Sequence, residues 1–364
     1  MSTFEYIFPV LRGIQAKKEY YVGMYPLRLI PKIFLFDEEE LAPELRAQRL
    51  LNRKRVPEIS RYILNNRESY VFSSLTASID GPVKFEANQS NPDDICYGLL
   101  HVPMSARFII NDGQHRRAAI EMALKKAPEL GNESITVVLF VDTGLEHSQQ
   151  MFADLNRNTT HPAKSISVLY DHRDEIASLV KLLTIQSPVF INLVEMERST
   201  LSPRSRCLFT LSSLYTATEV LLKGFEAFSM EEKLKTASAY WEQVDKQFPE
   251  WEQVRQRQLT AGEVRHKFIH SHGIVLQALG QVGNQILKES GSTWRETLNK
   301  LSTLDWSRFN AKLWEGRAMI GGRVSKGRNN VVLTVNAIKT GMGLQLVPKE
   351  QKIEQAFWQG KGEL

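Results

Sequence analysis

The chain has 364 residues, 42% of them hydrophobic and 24% charged, with a formal net charge of +5. At roughly 100–200 residues per domain this is enough chain for two domains, and the composition excludes collagen-like, disordered and disulfide-stapled classes. The charge is uneven: residues 1–165 carry 20 basic and 20 acidic side chains, so the whole excess falls in the second half.

Phe4 to Ile14 and Tyr20 to Phe36 are rich in Tyr, Ile, Phe, Leu and Val, with Gly13, Pro26 and Pro31 as punctuation, and predict strands or a hairpin. Asp37 before Glu38-Glu39-Glu40 has the form of an N-cap and an acidic first turn. A short helix is expected from Pro57, with Val56, Ile59 and Ile63 on its apolar face. Tyr70 to Ile79 predicts a strand closed by Asp80-Gly81-Pro82. Gly98 to Val102 and Arg107 to Ile110 predict two more, and a helix is expected over 114–127. Ile135 to Val141 is apolar throughout and predicts a strand buried on both faces. Thr143 and Glu146 have capping-box spacing, ahead of Met151, Phe152 and Leu155 on one helical face.

After about residue 165 the apolar period becomes helical. Ile176 to Leu183, Phe209 to Phe225, Met230 to Phe248, Val264 to Leu287 and Trp294 to Leu301 predict helices. The expected fold class is α+β, with a mixed α/β domain at 1–165, a mainly α-helical domain at 166–302 and a basic segment at 303–364 packing on or extending from it. No apolar run approaches the ~20 residues of a membrane span, and Met1 to Gly13 lacks a signal-peptide pattern, so a cytoplasmic protein with no membrane partner is expected. Cys96 and Cys207 suit reduced, buried thiols better than a disulfide or a zinc site.

The stretch Arg107 to Arg117, RFIINDGQHRR, puts a glycine, an amide, an imidazole and two guanidiniums at the mouth of a helix. A helix start leaves backbone N–H groups without partners and carries partial positive charge, so it suits an anion. Gly113 permits a sharp turn, Gln114 and His115 can donate, Arg116 offers a fork for phosphate oxygens, and Asp112 can orient His115 or hold a metal ion. Arginine in a first turn opposes the helix dipole unless an anion meets it. The competing reading is a capped, solvated helix start.

Asn111 to Ala119 resembles the signature of the DGQHR-domain family, which is in turn similar to the ParB/sulfiredoxin fold with its Gly-x-x-Arg phosphate-binding turn. The segment Phe152 to Asn158, with its Leu-Asn-Arg, matches a second expected part of that family. In length and order of parts the chain resembles the branch encoded with DNA phosphorothioation genes. The resemblance implies a ParB/sulfiredoxin-like first domain and a DNA-binding repressor of the modification operon. It also implies a turn that binds or hydrolyses a nucleotide. Asp112, His115 and Arg116 would be catalytic, and Gly113, Gln114, His115, Arg116, Asn156 and Arg157 would hold the nucleotide. No cofactor follows from the residues themselves; the resemblance implies ATP or another nucleoside triphosphate with magnesium. The alternative activity is an NTPase, with or without DNA nicking. Sulfiredoxins carry a cysteine in this turn where Gln114 or His115 stands, which argues against thiol chemistry here.

Double-stranded DNA is the expected partner, beside other sulfur-modification proteins and a second copy of the chain. Arg198, Arg204 and Arg206 lie among hydroxyls in a loop-like stretch, as phosphate contacts do. Arg317, Arg323, Lys326 and Arg328 lie in a Gly/Arg-rich stretch. Both stretches are expected to contact DNA, against the plainer readings of a surface loop and a basic linker. Arg255, Arg257, Arg265 and Lys267 would extend the basic surface if they share its side. Glu263, His266, His270 and His272 have metal-like spacing but no second set, and read better as a polar helix face. The tryptophans read as packing rather than as base-stacking platforms.

Overall fold

The computed structural model describes residues 4–34, 55–88, 96–141, 150–151, 154–155 and 162–361. The acidic helix start at Asp37 and the capping box at Thr143 and Glu146 lie outside them. The chain divides into two compact units, residues 1–160 and 161–364.

The first unit is built on a seven-stranded sheet. Its strands are β1 (Glu5–Gln15), β2 (Lys18–Pro26), β3 (Leu75–Asp80), β4 (Lys84–Ala87), β5 (Tyr97–Pro103), β6 (Arg107–Asp112) and β7 (Ser134–Val141), in the order β4-β5-β1-β2-β7-β3-β6. Only the β3–β7 pair is parallel. Helices α1 (Ile30–Ile33), α2 (Val56–Asn65) and α3 (Gln114–Leu124) belong to the same unit, and Ile30, Ile63 and Ile120 share a core with the inward side chains of the strands.

Successive side chains of a strand point to opposite faces, so burial follows a period of two. Phe8 and Val10 are buried between exposed Ile7 and Leu11 on β1. β7 behaves likewise: Ile135, Val137 and Leu139 are buried, while Val138 and Phe140 are half-buried. Its unbroken apolar run therefore does not mean two covered faces. The outward residues pair with other apolar groups across the strand, as Phe140 stacks on Tyr20 with ring centroids 5.7 Å apart. Two boundaries also move. The run Tyr20 to Phe36 is a strand only to Pro26 and then turns helical, and β3 starts at Leu75 rather than Tyr70. Cys96 is exposed and Cys207 half-buried, both as free thiols, so neither is the buried thiol expected.

The second unit is mainly helical: α4 (Lys164–Tyr170), α5 (Glu175–Gln186), α6 (Leu211–Leu221), α7 (Met230–Asp245), α8 (Pro249–Arg255), α9 (Ala261–Lys267), α10 (Gly273–Glu289), α11 (Trp294–Asn299), α12 (Ala311–Trp314), α13 (Arg328–Gly341) and α14 (Pro348–Lys361). Short strands β8 (Val194–Glu195) and β9 (Phe209–Thr210) pair, as do β10 (Met319–Ile320) and β11 (Arg323–Val324). The core is aromatic, with Phe190, Phe209, Trp241, Trp251 and Trp314 fully buried. α13 buries Val335 and Ile338 in it, so residues after 303 are part of this unit.

The helix expected over Val264 to Leu287 is broken at Phe268–His272. His270 is the reason. Its ring is buried, stacks on Phe248 at 4.6 Å and accepts a hydrogen bond of 2.9 Å from Trp251 Nε1. It is a core group, not part of a polar helix face.

α6 and α10 run parallel, read from their contacts in order. Gly273 faces Ser213, Gly280 faces Ala217, and Asn284 Nδ2 donates to the Leu221 and Lys223 carbonyls at 2.7 Å each. Their N-termini therefore lie side by side. The close approach depends on Gly280, where a β-carbon would stand 2.2 Å from the Ala217 carbonyl oxygen. Alanine is the better helix former by ~1 kcal/mol, yet Gly280→Ala is expected to destabilise the protein by about 1–3 kcal/mol through overpacking. Urea unfolding of the variant checks this; unchanged or raised stability would contradict the packing described.

Candidate functional site

The Asp112–Arg117 turn forms where β6 runs out. Asp112 pairs with Thr76 at the strand's end, and α3 opens at Gln114 with Gly113 as its N-cap. Gly113 has a left-handed φ of 107°, and a β-carbon there would stand 2.3 Å from Leu75 Cδ2. Glycine is required twice over, by conformation and by space. Gln114 is 5% exposed, and its Nε2 has no hydrogen-bond partner among the described residues.

Both arginines turn inward. Arg116 Nη2 reaches Asp112 Oδ2 at 2.5 Å, and Nη1 donates to the Ser73 and Ser74 carbonyls at 2.8 and 2.9 Å and to the Ser73 hydroxyl. Arg117 donates to the Phe34 carbonyl at 2.8 Å, the Pro31 carbonyl at 3.1 Å and Glu121 Oε2 at 2.5 Å. The unfavourable positive charge at the helix start is thus offset within the unit. It does not by itself require an outside anion, which corrects the dipole argument made from sequence. Asn156 and Arg157 lie outside the described residues. For magnesium the turn offers one carboxylate, Asp112, already paired with Arg116. No group of side chains fit to hold a metal occurs among the described residues.

The basic residues of the second unit form a more open arrangement. Arg198, Arg204 and Arg206 are exposed on the loop between β8 and β9. Ser165, on the first turn of α4, ties this loop down: its Oγ donates to the Arg198 carbonyl at 2.9 Å, and its N–H donates to Ser199 Oγ at 3.1 Å. Arg265 braces the other end. It is 8% exposed and donates to the carbonyls of Ser202 at 2.8 Å, Ser205 at 3.3 Å and Cys207. Burial lowers its pKa, but a guanidinium remains charged in proteins. The Arg265 carbonyl accepts in turn from Arg308 Nη1 at 3.2 Å, and Arg308 Nη2 donates to the Gly322 carbonyl at 3.1 Å.

The Gly/Arg-rich stretch is therefore no linker. Gly321 and Gly322, both left-handed at φ 56° and 71°, make a two-residue hairpin turn between β10 and β11. Arg323, Lys326 and Arg328 are exposed on and just after it. The chain of hydrogen bonds through Arg265 and Arg308 joins two basic stretches that are far apart in sequence. Arg317 is not with them. It is 5% exposed, paired with Glu354 at 2.5 Å and hydrogen-bonded to the Leu333 carbonyl at 2.9 Å, so its assignment to a DNA surface is corrected. Arg255 is likewise held by Asp245 and Glu252. The bracing roles of Arg265 and Arg308 left no mark in the sequence beyond their charge.

Together the described features define a mixed α/β protein: a sheet-based unit with a DGQHR turn, and a helical unit with one basic end. A family model described as DndB: DNA-sulfur modification-associated matches residues 8–345, and the chain belongs to that family. No curated protein and no solved structure matches it. Among the described residues no helix is long and apolar enough to cross a membrane.

Two outcomes test this geometry. Gly113→Ala is expected to cost at least about 1–3 kcal/mol through its left-handed φ, with the clash on Leu75 in addition; denaturant unfolding measures it, and a neutral result would overturn the turn as described. His272, the N-cap of α10, is pushed down to about 4, first by burial and then against the pull of its bond to the Arg265 carbonyl. Acid protonates the unfolded chain first, so stability that is complete above about pH 6.5 is lost as pH falls toward about 4. Unfolding measured from pH 7 to 4.5 should fall less steeply for His272→Gln than for wild type; equal slopes would contradict the buried, neutral imidazole.

Proposed function

We propose that this protein is a DNA-binding transcriptional regulator, a repressor of a DNA phosphorothioate modification operon. Membership of a DNA-sulfur modification family supports the setting. The observation that carries the reading is the chain of hydrogen bonds through Arg265 and Arg308 that ties the loop bearing Arg198, Arg204 and Arg206 to the hairpin bearing Arg323. None of these four exposed arginines forms an ion pair with a described residue. A loop held open by buried hydrogen bonds pays little entropy when it meets a phosphate backbone. Such contacts position a protein on duplex DNA and release counterions, so binding weakens steeply with salt. Arg317 is left out of this surface; Lys326 and Arg328 remain in it. Other sulfur-modification proteins and a second copy of the chain are compatible partners of the same reading.

The test is a salt series of duplex binding, using DNA from the operon's promoter region, for wild type and the Arg198→Ala/Arg204→Ala/Arg206→Ala variant. The variant should bind more weakly at every salt concentration, with a log–log salt slope shallower by about 2–3. An unchanged slope would remove the loop from the interface, and no duplex binding by wild type at low salt would sink the reading.

A second reading is favoured by one feature of the first unit, the buried Gln114 Nε2 at the start of α3, which has no hydrogen-bond partner among the described residues. It is a nucleoside triphosphate bound at the turn, with Gln114 and the α3 N–H groups meeting a phosphate and His115 moving the proton if hydrolysis follows. Arg116 would act there as a positioning residue, since its guanidinium holds Asp112 and the Ser73–Ser74 backbone. Titration with ATP, GTP and CTP should give saturable binding in wild type and at least about a tenfold loss in Gln114→Ala, of the order of one charge-assisted hydrogen bond. Indifference of binding to Gln114, or no binding, would discard this reading and leave the first intact.

A further inference from the structure

A second pair of cations, Lys164 and the Lys326 of the Gly/Arg-rich stretch, belongs to the basic end. Lys164 begins α4, and its Nζ donates to Thr216 Oγ1 at 2.9 Å and lies 5.4 Å from the centroid of the Tyr215 ring. Ser213, one turn earlier on α6, exchanges a hydrogen bond of 2.7 Å with Thr210. Across from it Gly273 opens α10, where a β-carbon would stand 2.6 Å from Ser213 Oγ and 4.0 Å from Lys326 Nζ. The side chain of the N-cap, His272, does not cap the helix, because its ring is turned to the Arg265 carbonyl at 2.8 Å.

Lys164 at Thr216 and Lys326 beside Gly273 and Ser213 stand about one turn apart along α6. The Lys326 amine is pulled below the usual lysine range, first by burial and then by the charge of Lys164, although the residue as a whole is exposed. Neither lysine forms an ion pair with a described carboxylate. Folding has therefore brought two ammonium groups to one end of α6, beside a hydroxyl and a start of the 17-residue α10 that no side chain caps, and among the described residues neither ammonium has a carboxylate at ion-pair distance. Like charges gathered in this way destabilise the fold unless a counter-ion joins them.

We infer that Lys164, Lys326, Ser213 and the backbone at Gly273 form a phosphate-binding site, at which the two ammonium groups share one phosphate. Its ligand chemistry is a tetrahedral phosphate, and its proposed occupant is a single backbone phosphate of duplex DNA. This rests on the DNA-binding reading and sharpens it: the arginine loop makes diffuse contacts, whereas this site fixes the register of one phosphate. Gly273 matters because a side chain there would stand where the phosphate must approach the helix.

The experiment uses the full chain and four variants, Lys164→Gln, Lys326→Gln, the double variant and Lys326→Arg. Melting temperature is measured in chloride and in inorganic phosphate at equal ionic strength, and duplex binding across a salt series. In chloride, Lys326→Gln should melt about 1–3 °C above wild type, because it relieves repulsion. Inorganic phosphate should raise the melting temperature of wild type and of Lys326→Arg but not of the double variant. Each Gln variant should weaken duplex binding about five- to tenfold, and the double variant little more than either, since both lysines serve one phosphate worth a salt slope of about 0.9. Phosphate stabilisation equal in all forms, or none in any, would overturn the site, as would duplex binding indifferent to both lysines. Lysine-dependent phosphate stabilisation without any duplex binding would keep the site and reject the DNA reading on which its occupant rests.

Discussion

A buried guanidinium satisfied by carbonyls organises the basic end of the helical unit. Arg265 has no carboxylate partner among the described residues and spends its donors on the backbone of Ser202, Ser205 and Cys207. A charge removed from water is costly unless every donor is met, so the loop carrying Arg198, Arg204 and Arg206 is bound to the shape that meets them. The same residue's carbonyl accepts from Arg308 and from His272, one leading to the Gly321–Gly322 hairpin and the other to the start of α10. Three elements remote in sequence are thus set against one another by one side chain and its own backbone.

The parallel pairing of α6 and α10 adds to this. Parallel helices bring like ends together, and here both N-termini, that of α6 capped by Thr210 and that of α10 by no side chain, lie at the end where Lys164 and Lys326 stand. Arginines do opposite work in the first unit. Arg116 and Arg117 use the same guanidinium–carbonyl chemistry to fasten the Asp112–Gln114 turn to residues 73–74 and to the Pro31–Phe34 segment. They are structural clamps, and Gln114 Nε2 beside them is buried without a hydrogen-bond partner among the described residues.

Much of the first unit was legible because period-two and period-3.6 apolar patterns report directly on burial. β1, β5, β6, α2 and α3 stand close to where those patterns put them. What failed did so for identifiable reasons. An apolar run cannot say whether its second face is covered, so β7 was read as doubly buried. Helical spacing ran straight through Phe268–His272, because nothing in the sequence says that His270 would prefer the ring of Phe248 and the indole N–H of Trp251. Arginine in a sequence is a charge, and only the fold tells whether its fork points outward, as from Arg198 and Arg204, or inward, as from Arg116, Arg265 and Arg317. The pairing of Lys164 with Lys326 has no mark in the sequence, because it is the packing of α6 on α10 that places one at Thr216 and the other beside Gly273.

On the proposed function, the basic end of the helical unit, and not the Asp112–Gln114 turn, meets DNA. Amide hydrogen exchange on the full chain, with and without a promoter duplex at low salt, tests it most directly. Slowed exchange at residues 198–206, at the first turn of α10 and across 321–328, with 111–117 unchanged, is the predicted result. Slowing confined to 111–117, with the basic end unaffected by DNA, would contradict it.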